Sequence, residues 1–483
     1  MTTTETTPLP PGSSELLPHD DGAGRPLRTR PVWLALLAAS LPMFMATLDN
    51  LVMTGALPVI SERLHPDVEQ LQWFVNAYTL VFATLMLPAA ALGDRFGRRR
   101  VFVGGIVLFA LASAASALAD TPAQLIAARA VQGAGGAAIL PLSLALLAGA
   151  VPASRRAMAI GIWGGVSGLG VALGPVIGGA VVEGLSWRAI FWLNVPVAVV
   201  AVPLAVWGLR EARGRVGRFD LVGLVLAGAG IFLAVWAVVG ANDRGWGSVT
   251  TVGMLLGGAV LLAAFVRHET RAESPLVPLR LFRARSFTVS NVAGFAFSMG
   301  MFGAVFLLTQ YLQIGEGYSP LAAGARTLPW TAAPMLVAPV AGALTGRFGA
   351  RPFVAGGLVL QTISLAWMAV GIDSGGAYPS LVPAFVVAGV GMGLTFAPVA
   401  TAVLADLPDR DHTTASSVNA TIREVGVALG VAVLTAVFLG AGGAFTPAAY
   451  VDGLVPALWV GAAVVGVGAV ASLLMPRRTG RAD

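Results

Sequence analysis

The sequence predicts an all-α integral membrane protein of fourteen transmembrane helices, arranged as two six-helix bundles with two further helices inserted between them. Three observations carry that expectation. The 483 residues are 56% hydrophobic and only 11% charged, against roughly 25% charged in a soluble domain. Apolar runs of the length a bilayer demands, about 20 residues, can be laid along the chain fourteen times. A charged cluster between two such runs, Leu92-Gly93-Asp94-Arg95-Phe96-Gly97-Arg98-Arg99-Arg100, returns in shorter form as Leu344-Thr345-Gly346-Arg347-Phe348-Gly349-Ala350-Arg351. Such an internal repeat in a polytopic membrane chain is a mark of alternating-access transporters.

Taken in order, the runs fall near 32–59, 70–92, 101–119, 123–149, 157–182, 189–209, 221–240, 249–267, 287–313, 320–345, 352–371, 380–405, 416–441 and 453–475. Ahead of them, some thirty residues rich in Thr, Pro, Gly and Ser read as a disordered tail. The first run is too long for a signal-peptide core and lacks a cleavage site. Twenty-four of the thirty arginines then gather on one face of the membrane. Arg63, Arg188 and Arg244 remain on the other, while Arg129, Arg326 and Arg423 fall within runs. The positive-inside rule makes the crowded face cytoplasmic, together with both termini, in the inner membrane of the cell.

The first basic cluster follows run two and its echo follows run ten, although two plain six-span halves would put the echo after run eight. Two spans are therefore inserted. The expected organisation is a cytoplasmic tail at 1–31, a first bundle at 32–210, a two-helix insertion with its linkers at 211–286, a second bundle at 287–475 and a cytoplasmic tail at 476–483.

Composition also narrows the function. A formal charge of +6 would point to nucleic acid in a soluble chain, but here the cations occupy short loops beside lipid headgroups. Nucleic acid is not an expected partner. Every basic residue is Arg and Cys is absent, which removes disulfides, thiolate metal sites and cysteine nucleophiles. His19, His65, His268 and His412 show no metal-ligand spacing. With no Gly-x-x-x-x-Gly-Lys-Ser/Thr loop, and no lysine to complete one, ATP is not the expected energy source. No cofactor or metal is expected.

The charges inside the runs are the candidate functional residues. Counting from Val32 at 1.5 Å per residue puts Asp49 roughly 25 Å along an apolar core about 30 Å thick. A carboxylate within the outer half of the apolar core is a functional-site hypothesis by default; the alternative is a structural aspartate, ion-paired or snorkelling to the surface. Arg129 comes from the opposite direction and lies about six residues, roughly 9 Å, below the outer surface. The two therefore share a depth at which they can pair or compete for a proton. Arg129 can equally serve only to pin helices together.

The stretch from Arg129 through Gln132 to Ala138 has small residues, Gly133, Gly135, Gly136, Ala137 and Ala138, that let helices approach closely. In run five, Gly170, Gly174, Gly178 and Gly179 strip the helix to backbone, and Pro175 bends it. Arg326 stands beside Pro329, Pro334 and Pro339, whose spacing predicts a kinked helix. Arg423 and Glu424 are sequence neighbours and point in different directions, so partners on other helices are expected for each. Glu424 is open to a structural or a proton-relay role. Trp163, Phe295, Phe302 and Trp330 are able to stack on a lipophilic cation or a flat polyketide, or simply pack.

These segments together resemble the major facilitator superfamily. The Gly93 to Arg100 stretch is similar to its signature loop, and the Arg129 to Ala138 and Gly170 to Gly179 stretches to two further motifs, the last associated with antiporters. Leu48-Asp49 through Ala56-Leu57-Pro58, and Trp187-Arg188-Ala189-Ile190-Phe191-Trp192-Leu193-Asn194-Val195-Pro196, look like marks of its fourteen-span drug:proton antiporter family. The likeness runs from about Val32 to Met475. It implies a major-facilitator-like fold and roles in proton or cationic-drug handling for Asp49, proton transfer for Arg129, and gating for the loop residues Gly93, Asp94, Arg95, Gly97 and Arg98. Leu51 and Thr54 depart from the family's frequent Thr and Asn, and Gly346 stands where the first loop has Asp94, which weakens the second loop as a gate.

The leading expectation is a secondary transporter and not an enzyme. It would be a proton-coupled antiporter that exports amphipathic drugs, antibiotics or other lipophilic small molecules, cationic or not, with membrane lipids as its surroundings and a monomer as its working unit. A proton-coupled importer is the second reading, opposed by the glycine-proline antiporter run through resemblance alone. A membrane enzyme or receptor would call for a polar cluster on loops or a folded soluble domain, and the internal loops are too short for one.

Overall fold

The computed structural model describes residues 31–213, 220–408 and 411–476. The two expected tails fall outside it apart from Pro31 and Pro476, as do linker residues 214–219. Fourteen helices are long and apolar enough to cross a membrane. They are Val32–Leu64, Val68–Phe96, Arg98–Ala117, Pro122–Ala150, Ile162–Gly184, Ala189–Gly208, Leu221–Val239, Val249–Glu269, Arg285–Gly315, Pro320–Phe348, Arg351–Asp373, Tyr378–Leu404, Thr414–Gly440 and Tyr450–Ser472, called spans one to fourteen below. Spans one to six pack mainly on one another, as do spans nine to fourteen, and spans seven and eight pair as a hairpin.

Local chemistry fixes many of the ends. Asp67 and Thr121 start spans two and four with full capping boxes, closed by Gln70 and Gln124. Asp220 and Ser248 cap the first turns of spans seven and eight. Span ten divides into Pro320–Arg326, Leu328–Thr331 and Ala333–Phe348. Pro329 and Pro334 each stand in the first turn of a new segment, where a missing N–H is harmless. The predicted kink is thus two breaks.

The basic loops are shorter than the sequence indicates. Span two stays helical through Phe96, span three begins at Arg98, and only Gly97 lies between them, at φ 111°. Its counterpart Gly349, at φ 79°, separates spans ten and eleven together with Ala350. A residue without a Cβ adopts this backbone conformation readily. Gly93, Asp94, Arg95 and Arg98 are therefore terminal helix residues, and the expectation of a loop across this stretch is corrected. The end of the molecule that holds Gly97 and Gly349 is called the basic end, and the opposite one the far end.

Candidate functional site

Asp49 and Arg129 meet. The Arg129 Nη1 donates to Asp49 Oδ2 at 2.5 Å, with side-chain exposures of 0% and 2%. Depth counting placed them level; the fold adds the contact. The remaining carboxylate oxygen, Oδ1, accepts from Gln132 Nε2 at 2.9 Å and from Asn194 Nδ2 at 2.7 Å. Asn194 also donates to Ser113 Oγ at 2.9 Å, and Ser113 to the Phe191 carbonyl at 2.8 Å. Arg129 makes further bonds through Nε to the Phe74 carbonyl and Nη1 to Gln132 Oε1, and lies 4.4 Å above the Tyr78 ring. One carboxylate thereby ties together spans one, two, three, four and six.

The small residues near Arg129 make this closeness possible. A Cβ on Gly133 would strike the Tyr78 carbonyl, one on Gly136 would lie 2.9 Å from the Tyr78 hydroxyl, and one on Gly135 would lie 2.6 Å from Phe109 N. Span four presents bare backbone to spans two and three, and Tyr78 can slide beneath the guanidinium. A cation over an aromatic face, away from water, is stabilised by the ring quadrupole.

Sequence reasoning missed Gln132 and Asn194 as ligands of Asp49. Asn194 begins the second segment of span six, directly after the break at Leu193. The signal was present in the Trp187 to Pro196 stretch, whose other members hold the connector: Arg188 stacks on Trp187 and donates to the Ala119 carbonyl and Asp120.

The glycines of span five divide by partner. A Cβ at Gly170, Gly174 or Gly178 would come within 3.2 Å of Thr47, 2.8 Å of Leu51 or 3.0 Å of Val52, all in span one, which carries Asp49. These contacts lie within the first bundle. Gly179 instead abuts the Pro320 carbonyl of span ten, and Gly324 of span ten abuts the Pro175 carbonyl. Of the five residues Gly170, Gly174, Pro175, Gly178 and Gly179, it is Gly179 and Pro175 that stand where the two bundles meet, at the far end.

Three hydrogen bonds also cross between the bundles in that half: Gln313 to the Gly55 carbonyl at 2.8 Å, Leu321 N to Glu183 at 3.1 Å and Thr331 to the Ala172 carbonyl at 3.2 Å. Towards the basic end, spans five and ten part. Gly168 still comes 4.0 Å from Met335, but nothing lies within 4 Å of a Cβ on Gly164 or Gly165. Spans five and ten are thus in contact at the far end and part towards the basic end, while Ala420 of span thirteen still packs on the first bundle.

At the basic end, Asp94 is bound by Arg98 at 2.6 Å within its own turn. Span three opens with Arg98, Arg99 and Arg100 and has no acid in its first turn, although cations oppose the dipole there. Glu211, just past span six, supplies the missing charge: it accepts from Arg99 N at 3.0 Å and lies 3.9 and 3.8 Å from the Arg99 and Arg100 side chains.

In the second bundle, Arg423 lies 4.3 Å over the Phe396 ring and 3.9 Å from Glu424, its own neighbour. Arg423 thus finds its partner on another helix, Phe396 of span twelve, as expected, whereas for Glu424 the expectation is corrected: its ion-pair contact is the loose one to its own neighbour. Glu424 is not joined to the Asp49 network by any hydrogen bond among the described residues. Trp330 is buried in a stack on Phe385 and Phe302 packs edge-on to Phe297, while Trp163 donates to Ser143. Arg326 is held 3.7 Å from the Tyr318 ring centroid and 5.3 Å from that of Tyr378.

Two helical bundles that meet across a seam, with a buried ionic network in the first, are the architecture of a membrane transporter. The chain belongs to the Major Facilitator Superfamily, which it matches over residues 33–431. It is 35% identical over 419 residues to the tetracenomycin C resistance and export protein of Streptomyces glaucescens, covering 86% of this chain and 77% of that one. It is 34% identical over 423 residues to the multidrug efflux pump LfrA of Mycolicibacterium smegmatis, covering 86% and 83%. The solved structure of a POT peptide transporter superposes with a TM-score of 0.67 over 91% of this chain and 95% of its own, at 17% identity, a likeness of fold alone.

Proposed function

We propose that the protein is a proton-driven exporter of lipophilic small molecules, drugs or antibiotics among them, in the cytoplasmic membrane. The basic end faces the cytoplasm, as do both termini, and the far end faces outward. The conformer described is then the cargo-loading one, open inward. The working units are the bundles at 32–210 and 287–475, with the insertion at 211–286 and tails at 1–31 and 476–483. Names of relatives support export of drug-like cargo, and the Asp49 network supports proton coupling.

The single observation that carries the coupling is the closed shell of donors around Asp49: Arg129, Gln132 and Asn194 occupy both of its oxygens. Ionised, the carboxylate holds five helices in one arrangement. Protonated, it can no longer accept from all three, and it loses its attraction for Arg129, whose charge is then buried without a counter-ion. An uncompensated buried charge is strongly unfavourable, so protonation would drive the first bundle to repack. Cargo binds elsewhere, between the bundles, because the donors leave it no approach to Asp49. Glu424 serves as a second proton-exchanging acid nearer the path. Asp94 and Arg98, with Gly93, Arg95 and Gly97, form the inner hinge.

The test is efflux of chemically varied dyes and antibiotics from a pump-deleted host, with and without a proton-gradient uncoupler. Uncoupler-sensitive loss of dye is the expected result. Accumulation of dye, or export that persists without a gradient and requires ATP, would overturn the reading.

A further inference from the structure

The inserted hairpin does more than lengthen the chain, because span seven lies where span two of one bundle meets span thirteen of the other. Val235 and Val239 close over Leu80, Ala428 and Ala432 as one buried cluster, and span eight packs on span seven. The attachments on the two sides differ in kind. On span two, Trp73, Phe232 and Trp236 form an aromatic ladder with centroids 5.6 and 5.5 Å apart. Trp236 donates to Glu69 at 3.1 Å, and Arg244 lies 3.7 Å from the same carboxylate while donating to the Trp236 carbonyl at 2.7 Å. On span thirteen the hairpin meets Ala428, Ala432 and the half-buried Leu429, with no aromatic or charged contact among the described residues, and the hydrogen bond there runs from Asn242 Nδ2 to the Ala436 carbonyl at 2.6 Å. Trp246 steadies Asn242 by donating to its Oδ1 at 2.7 Å.

Under this strap the seam contains groups that oppose closure. Gln72 and Asn76 share a face of span two with Leu80 by the i, i+4 rule, are 1% and 0% exposed, and all four of their amide atoms lack a hydrogen-bond partner. The Thr435 hydroxyl, one turn beyond Ala432, is in the same condition. Unpaired buried polar groups destabilise the arrangement that buries them and regain partners on meeting water.

We propose that the inserted hairpin is a latch. It rides with the first bundle, anchored at Glu69, and holds the far end shut through Asn242 on the Ala436 carbonyl. That bond must release each time the far end opens and Gln72 and Asn76 become wetted. The inference rests on the export cycle proposed above for what opening accomplishes, but the latch itself can be tested without cargo.

The chain contains no cysteine, so Asn76→Cys alone reports seam opening by its reaction with an impermeant methanethiosulfonate reagent added outside. Ser298→Cys is the control, equally buried but inside the second bundle against Gly426. Asn242→Ala should raise the labelling rate of Asn76→Cys at least threefold and leave Ser298→Cys unlabelled. In a second variant, Asn242→Cys with Gly440→Cys, the cysteines face each other where Asn242 Oδ1 lies 3.8 Å from a Cβ on Gly440. Oxidation should cut dye efflux at least tenfold, with full recovery on reduction. Full efflux by the cross-linked protein, or an unchanged Asn76→Cys rate in Asn242→Ala, overturns the latch; so does faster labelling at both reporter positions, which would mean a loosened fold. If no dye is exported yet labelling responds as described, the latch stands and the transport reading falls.

Discussion

Gly324 and Pro175 meet backbone to backbone across the two bundles, so closely that a Cβ on Gly324 would strike the Pro175 carbonyl oxygen. Gly179 makes the reciprocal contact on Pro320. Each helix lends a bare stretch to the other, and together the two contacts form the tightest part of the far-end closure.

Gly324→Leu and Gly179→Leu should therefore hold the far end open and lower dye efflux at least tenfold, while leaving expression largely intact. Gly174→Leu lies against Leu51 within the first bundle and should instead lower thermal stability by about 1–3 kcal/mol, as overpacking does. The check is efflux together with thermal unfolding of each purified variant. Equal stability and equal transport loss in Gly174→Leu and Gly324→Leu would erase the distinction between seam and bundle.

Asp49→Asn keeps the shape of the shell and removes the charge. Stability should fall by about 3–5 kcal/mol, since Arg129 is left buried without a counter-ion and one neighbouring donor loses its acceptor, and proton-driven efflux should cease because the amide cannot exchange a proton. Normal uncoupler-sensitive efflux by a well-expressed Asn variant would remove Asp49 from coupling.

Arg129→Ala leaves the carboxylate buried without its cation and should lose about 3–5 kcal/mol, measurable as reduced yield and melting temperature. Arg129→Lys keeps the charge but forfeits the planar fork that bonds Asp49, Gln132 and Phe74 together and stacks on Tyr78. It should be intermediate in stability and retain partial efflux. A lysine variant as damaged as the alanine one would make geometry, and not charge, the requirement.

The depth of Asp49 and Arg129 was legible from counting residues along two antiparallel spans, because helical rise is constant. Their contact was not, since it depends on the bare face of Gly133, Gly135 and Gly136 letting span four approach spans two and three. Apolar length located all fourteen spans within a few residues, but it ended span one near residue 59, where the helix continues to Leu64 as a charged turn. Charge density at Gly93 to Arg100 read as loop for the same reason. Neighbouring positions sent Arg423 and Glu424 to other helices, which holds for Arg423 over Phe396 of span twelve, whereas for Glu424 long flexible side chains bring it to 3.9 Å from Arg423. Glu211 had a readable signal: three arginines opening a helix with no acid nearby require one from elsewhere in the fold.

Glu211→Ala should expose that requirement. Removing the carboxylate from the start of span three costs a cap and a dipole partner, about 1–2 kcal/mol together, and leaves three arginines in mutual repulsion. A lower melting temperature that is partly restored at high salt is the expected result. No change in melting would mean that Arg98 N, bonded to the Ala212 carbonyl at 2.8 Å, suffices to start the helix.

For orientation, Ser274→Cys lies at the basic end and Ser374→Cys at the far end. An impermeant thiol reagent added to intact cells should label only the second, and inverted membrane vesicles should label only the first. Labelling of both from one side would reverse or break the assigned topology.

The shell around Asp49 has a consequence for how such a protein changes over time. In the cycle proposed above, the proton-exchanging group lies behind Arg129, Gln132 and Asn194, out of reach of whatever occupies the space between the bundles. The motor and the hold are separate compartments. Residues that face the path are then free to vary with the molecules a cell must expel, while the sealed machinery stays constant. Selection for a new cargo should accordingly alter the walls of the path and spare the five helices tied to one carboxylate.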